Sequence, residues 1–85
     1  MGLDTVELVV EIEKTFDISI ANDIAAKVTT VADFYNVVEK YVEEGNNYTR
    51  EEIVRAVNSI VANFTRLPLD EITPGKRICE DLGLD

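Results

Sequence analysis

Gly2-Leu3-Asp4-Thr5-Val6-Glu7-Leu8-Val9-Val10-Glu11-Ile12-Glu13-Lys14-Thr15-Phe16 is the stretch on which the reading of this chain turns. At about 100° per residue, Leu8, Val9, Ile12 and Phe16 share an arc wide enough to face a core. Leu3, Val6 and Val10 make a second, narrower apolar stripe on the opposite side, edged by Asp4, Glu7, Glu11, Glu13 and Lys14. A helix with two apolar arcs is either sandwiched between neighbours or offers one arc to solvent as an acid-rimmed docking strip. Periodicity alone leaves both open.

Working outward, the helix runs from about Leu3 to Phe16, and the turn-prone Asp17-Ile18-Ser19-Ile20-Ala21-Asn22-Asp23 breaks it. Ile24 to Lys27 leaves room for one short helix. Thr30-Val31-Ala32-Asp33 reads as a capping box that opens a helix to about Val42, with Val31, Phe34, Tyr35, Val38 and Tyr41 on its buried side. Glu43-Glu44-Gly45-Asn46-Asn47 is polar and reads as a flexible connector. Thr49-Arg50-Glu51-Glu52 is a stronger capping box, followed by Ile53, Val57, Ile60, Val61 and Phe64 on one arc as far as Thr65. The rest, with Pro68, Pro74, Gly75 and Gly83, is too long for an ordinary bundle loop unless it packs across the helices. Leu67, Leu69, Ile72, Ile78 and Leu82 favour packing. The expectation is an all-α fold without strands, a small three- to four-helix bundle with a long adherent loop.

Composition narrows the function. The 85 residues, 46% of them hydrophobic, suffice for one core and one domain. Lysine and arginine total 8 against 17 acids, a net charge of −9, which disfavours nucleic acid and anionic membrane and favours basic protein surfaces in a salt-sensitive way. Histidine is absent and Cys79 is the lone cysteine, so the commonest general base and metal ligand is missing and a reducing cytoplasm is the expected setting. Cys79, between Ile78 and Glu80, is expected to fill core rather than act as a nucleophile. Neither a membrane span nor a basic leader is apparent. Asp17, Ser19 and Asn22 lack the glycine and distal glutamate of a calcium loop, so no metal site is expected. Every enzymatic arrangement lacks a partner residue, and the chain is expected not to be an enzyme.

Taken in the other order, the two halves resemble an acyl carrier protein. Ile53 to Asp85, with Asp70-Glu71-Ile72-Thr73-Pro74 and Glu80-Asp81-Leu82-Gly83-Leu84-Asp85, resembles that family's first helix and long loop. Leu3 to Val38, with Leu3-Asp4-Thr5-Val6-Glu7-Leu8-Val9, Phe16-Asp17-Ile18-Ser19-Ile20 and Lys27-Val28-Thr29-Thr30-Val31, resembles its later helices. The resemblance implies a circular permutant: residues 1–43 as the family's C-terminal half, 44–48 as the connector, and 49–85 as its N-terminal half. A slice through two tandem carrier domains gives the same order. The Met1-Gly2 start suits an engineered variant.

The same resemblance implies specific roles. In the family a serine between Asp-Leu-Gly-x-Asp and Leu-Asp carries 4'-phosphopantetheine; Gly2 holds that position here, so no prosthetic group is expected on this chain. The nearest hydroxyl is that of Thr5. The family shuttles acyl thioesters in fatty acid or polyketide synthesis and meets the basic surfaces of acyl-transferring and synthase enzymes. Leu3, Asp4, Val6, Glu7, Val10, Glu13 and Asp85 are the expected partner surface, and Leu8, Ile12, Ile20, Val28 and Phe34 the expected acyl pocket. The alternatives are a non-catalytic acidic docking module or an engineered folding variant, as a closed monomer or a domain-swapped oligomer.

Overall fold

The break after Phe16 and both marked caps have a hydrogen-bonding cause in the structure. The computed structural model describes residues 3–42 and 48–84, with the Leu3 side chain left aside. Gly2, Asp85, the Leu3 side chain and connector residues 43–47 therefore lie outside the described residues. So do the expected roles of Gly2, Leu3 and Asp85, and the meeting of the two chain ends.

Four helices follow in order: α1 Leu3–Phe16, α2 Asn22–Ala26, α3 Val31–Val42 and α4 Arg50–Thr65, with a short 3-10 turn at Leu69–Glu71. Asp4 in the first turn of α1 and Lys14 in the last match the helix dipole. α1 ends because Asp17 turns left-handed (φ 54°) and the Ile18 N–H reaches back to the Glu13 carbonyl at 3.0 Å. α2 starts two residues earlier than expected and stops before Lys27.

The Thr30 box forms: the Asp33 N–H donates to Thr30 Oγ1 (3.3 Å) and the Thr30 N–H to Asp33 Oδ2 (3.0 Å). The Thr49 box also forms, with Glu52 N–H on Thr49 Oγ1 at 3.2 Å and Thr49 N–H on Glu52 Oε1 at 3.0 Å. At its other end α4 closes on Arg66, which turns left-handed (φ 61°) and donates its N–H to the Ala62 carbonyl at 2.8 Å.

Helices α3 and α4 pack antiparallel. Arg50, which opens α4, bonds Asn36 (3.1 Å) and Glu39 (3.0 Å) with its guanidinium 5.6 Å over the Tyr35 ring. The Tyr35 hydroxyl donates to Asn58 further along α4. Leu8, Ile12 and Phe16 of α1 meet Val31, Phe34 and Val38 of α3 and Ile53, Val57 and Val61 of α4 in one core, all essentially without solvent exposure. Tyr41, Ile60 and Phe64, expected inside, are only half-buried at its margin. Tyr48, the first described residue after residues 43–47, packs edge-to-face with Phe16, ring centroids 5.2 Å apart.

The long segment after α4 adheres as expected, and backbone hydrogen bonds help to hold it. The unpaired first-turn N–H groups of α3 would be costly if buried alone; Val31 N–H donates to the Lys76 carbonyl and Ala32 N–H to that of Pro74, both at 3.0 Å. Ile78 N–H returns to the Thr29 carbonyl at 2.8 Å, and Thr30 and Arg77 form an isolated antiparallel bridge, the extent of β pairing among the described residues. Ile72, Ile78, Leu82 and Leu84 are buried. Two expectations fail here. Leu67 and Leu69 are exposed (36% and 53%), because the turn that follows α4 carries them away from the bundle. Cys79 is exposed rather than core filler, since Ile78 beside it takes the inward position.

Candidate functional site

The outer face of α1 is the candidate surface. Val6 and Val10, one turn apart, are 44% and 39% exposed, while Leu8, Val9, Ile12 and Phe16 face inward. The two-arc ambiguity is thereby resolved: the second stripe at these positions is open to solvent. Asp4, Glu7 and Glu11 stand exposed around it. Thr5, in the first turn, is buried (6%), which sets it apart from a surface attachment hydroxyl.

Glu13 differs from its exposed neighbours. It is half-buried, and its Oε2 accepts the Ile20 N–H at 2.7 Å, tying the segment after α1 back onto the helix. One lobe of its carboxylate is therefore committed inside the chain, leaving the other for outside contacts. The Ala21 N–H donates to the Tyr41 hydroxyl at 3.2 Å and fixes the same segment on α3.

Two open clefts flank the exposed valines. Between α1 and α2 lies one of about 470 Å³, lined by Val6, Val9, Val10, Glu13, Ile20, Asn22, Ala25 and Ala26. Between α1 and the end of α4 lies a smaller one of about 250 Å³, lined by Val6, Glu7, Val10, Glu11, Lys14 and Phe64. Of the five expected pocket residues, Ile20 alone lines the larger cleft. Leu8, Ile12 and Phe34 are fully packed in the core. Val28 is half-buried and borders two shallower hollows, one with Ile24 and Val37 and one with Arg77 and Cys79. The small side chains of Ala25 and Ala26 face Val6, Val9 and Val10 across the larger cleft, a placement that spacing along the sequence does not reveal.

Carboxylates with lowered pKa lie elsewhere, at structural turns. Asp33 is held below the usual carboxylate range by the Thr30 and Thr29 N–H groups, Glu52 by the Thr49 N–H, and Asp81 by the Arg77 N–H. Burial raises the Tyr35 hydroxyl, against the hydrogen bond to Asn58. No cluster of three or more histidine, cysteine or acid side chains able to hold a metal ion occurs among the described residues. No helix among them is long and apolar enough to cross a membrane.

Comparison with known proteins agrees with the resemblance in the sequence. The chain is 44% identical over 47 residues, 55% of its own length, to the acyl carrier protein of Karelsulcia muelleri (strain GWSS). It is 53% identical over 37 residues, 44% of its length, to the acyl carrier protein of Picosynechococcus sp.. No protein-family profile and no solved structure matches it. The matched segments cover 57% and 46% of those two relatives, so the chain spans about half the length of the curated relatives it matches.

Proposed function

We propose that this chain is an acyl-carrier-like domain whose two halves stand in reverse order, a non-catalytic protein that presents itself to the basic surfaces of acyl-transferring and synthase enzymes of fatty acid or polyketide synthesis. The observation that carries the reading is the acid-rimmed pair of exposed valines on α1, opening on an apolar cleft, in a four-helix bundle similar in sequence to acyl carrier proteins. Such a surface suits brief, salt-sensitive encounters: the carboxylates steer and a small apolar contact holds. Asp4, Val6, Glu7, Val10 and Glu13, with Leu3 and Asp85, are its proposed contacts.

Reverse order is supported by the extent of the similarity. A local alignment follows one half of a permuted chain at a time, and the matches of 47 and 37 residues in an 85-residue chain are of that size. The connector spanning residues 44–48 would then join two antiparallel neighbours, α3 and α4, a turn that about five or six residues suffice to make. Exchange of halves between chains at this hinge would give a swapped oligomer in place of a closed monomer.

In a carrier of this kind, 4'-phosphopantetheine would provide the thiol that bears the acyl group. The residues present do not fit that attachment: Gly2 has no hydroxyl at the matching position, and Thr5 is buried. The chain is therefore proposed to fold and dock without being charged. Were a chain tethered there, the cleft between α1 and α2, lined by Val9, Ile20 and Ala25, would shelter it; Leu8, Ile12, Val28 and Phe34 would contribute from behind and from the side.

Incubation with coenzyme A and a phosphopantetheinyl transferase, followed by intact-protein mass measurement, tests this directly. The chain should gain no mass, and Gly2→Ser should gain one phosphopantetheine. A Gly2→Ser protein that folds and stays unmodified would count against the carrier reading, and mass gained by the unsubstituted chain would overturn its uncharged state.

A further inference from the structure

The smaller cleft, between α1 and the end of α4, has a charge order that the acidic-strip reading does not use. Its floor is Val6, Val10 and Phe64, and its rim on α1 runs Glu7, Glu11, Lys14. These three lie about one turn apart along one side of the helix. Glu7, Glu11 and Lys14 are all exposed, and Phe64 is half-buried, its remaining face lining the hollow. At about 250 Å³ the cleft is below the roughly 300–1,000 Å³ of small-molecule sites and suits a single large apolar side chain.

Resting on the carrier reading above, the geometry points to a docking site here for a protein partner of mixed charge. That partner inserts one large apolar side chain between Val10 and Phe64, sets lysine or arginine against Glu7 and Glu11, and sets a carboxylate against Lys14. A uniformly basic surface meets repulsion from Lys14, so the order of charges selects among partners that the net charge alone would attract equally. Charge disfavours a second copy of this chain as the occupant, since two copies at a net charge of −9 each repel on approach. Phe64 thus becomes a specificity-determining residue, and the docking surface extends from α1 onto α4.

The test uses two synthetic helical peptides of identical composition, each with one central leucine. In one, two lysines lie towards Glu7 and Glu11 and a glutamate towards Lys14; in the other, the glutamate and the lysine facing Glu7 trade places, so that a lysine meets Lys14 at unchanged net charge. Both are titrated into the isotope-labelled chain and followed by amide shifts. The first should bind more tightly by about tenfold, with the largest shifts at Val6, Val10 and Phe64. Lys14→Glu, a change at an exposed position, should abolish most of that preference, and Phe64→Ala should weaken the first peptide several-fold. Phe64→Leu, which keeps an apolar filler, should recover most of it and so separates docking from packing.

Equal binding of the two peptides, shifts centred on Ala25 and Ala26, or a concentration-dependent dimer that buries Val10 would each overturn the inference. Those outcomes leave the carrier reading standing, because the mass measurement on Gly2→Ser decides that one independently.

Discussion

The Asp33 carboxylate and the Thr30 backbone hold each other: Thr30 donates its N–H to Asp33 Oδ2 at 3.0 Å and accepts the Asp33 N–H on Oγ1 at 3.3 Å. Thr29 adds a second N–H to the same carboxylate oxygen at 2.9 Å. This turn is also where the long loop joins the bundle, since the Thr29 carbonyl accepts the Ile78 N–H and Thr30 bridges Arg77. These donors lower the Asp33 pKa, with the Thr30 N–H the largest cause. A carboxylate depressed in the folded state adds stability that is complete above its unfolded value of roughly 4 and is lost as pH falls through the lower folded value. The melting midpoint should therefore drop on acidification from about pH 5 to about pH 3, and Asp33→Asn should start lower at neutral pH and flatten part of that drop. Glu52 and Asp81, lowered in the same way, should supply the remainder. Circular dichroism melts across this range decide it; an Asp33→Asn variant with the parent's full pH dependence would contradict it.

Ile78 lies in a segment without regular secondary structure and is 1% exposed. If the loop is part of the core, Ile78→Ala should cost about 2–5 kcal/mol, as for a buried helix position. Denaturant unfolding of this variant beside Ile53→Ala measures both on one scale. A loss below about 1 kcal/mol would mean the loop rests on the bundle without contributing to it.

Arg66 ends α4 in the left-handed region at φ 61°, where a side chain with a Cβ is disfavoured and glycine is not. Its N–H bond to Ala62 at 2.8 Å is a backbone contact that glycine keeps. Arg66→Gly should stabilise the chain by about 0.5–1 kcal/mol, less than the full left-handed penalty because glycine also loosens the unfolded chain. Thermal unfolding measures the sign as well as the size.

Val10 and Glu7 stand on the exposed side of α1, away from Leu8 and Ile12. Glu7→Lys and Val10→Asp should weaken binding to a basic acyl-carrier-recognising synthase, roughly three- to tenfold each at low salt, and shift stability by no more than about 0.5 kcal/mol. The charge effect should shrink as salt is raised and the apolar one should not. Titration calorimetry at two ionic strengths, with melts of the same proteins, separates docking from folding.

Local chemistry determined much of this protein from the sequence by itself. The bounds of α1, α3 and α4, both capping boxes and the inward residues of α1 follow from spacing and from side chains that bond backbone groups three residues away, contacts complete within one turn. The long loop was legible as adherent from its spaced apolar residues, although only Ile72, Ile78, Leu82 and Leu84 are inside while Leu67 and Leu69 are not. Only the tertiary structure decided which apolar stripe of α1 has no neighbour, where Ala25 and Ala26 leave a cleft, that Phe64 closes a second one, and that Cys79 faces outward. The reason is physical: a cleft or an open face depends on how far apart two elements separated in sequence come to rest, and no residue's own propensity encodes that distance.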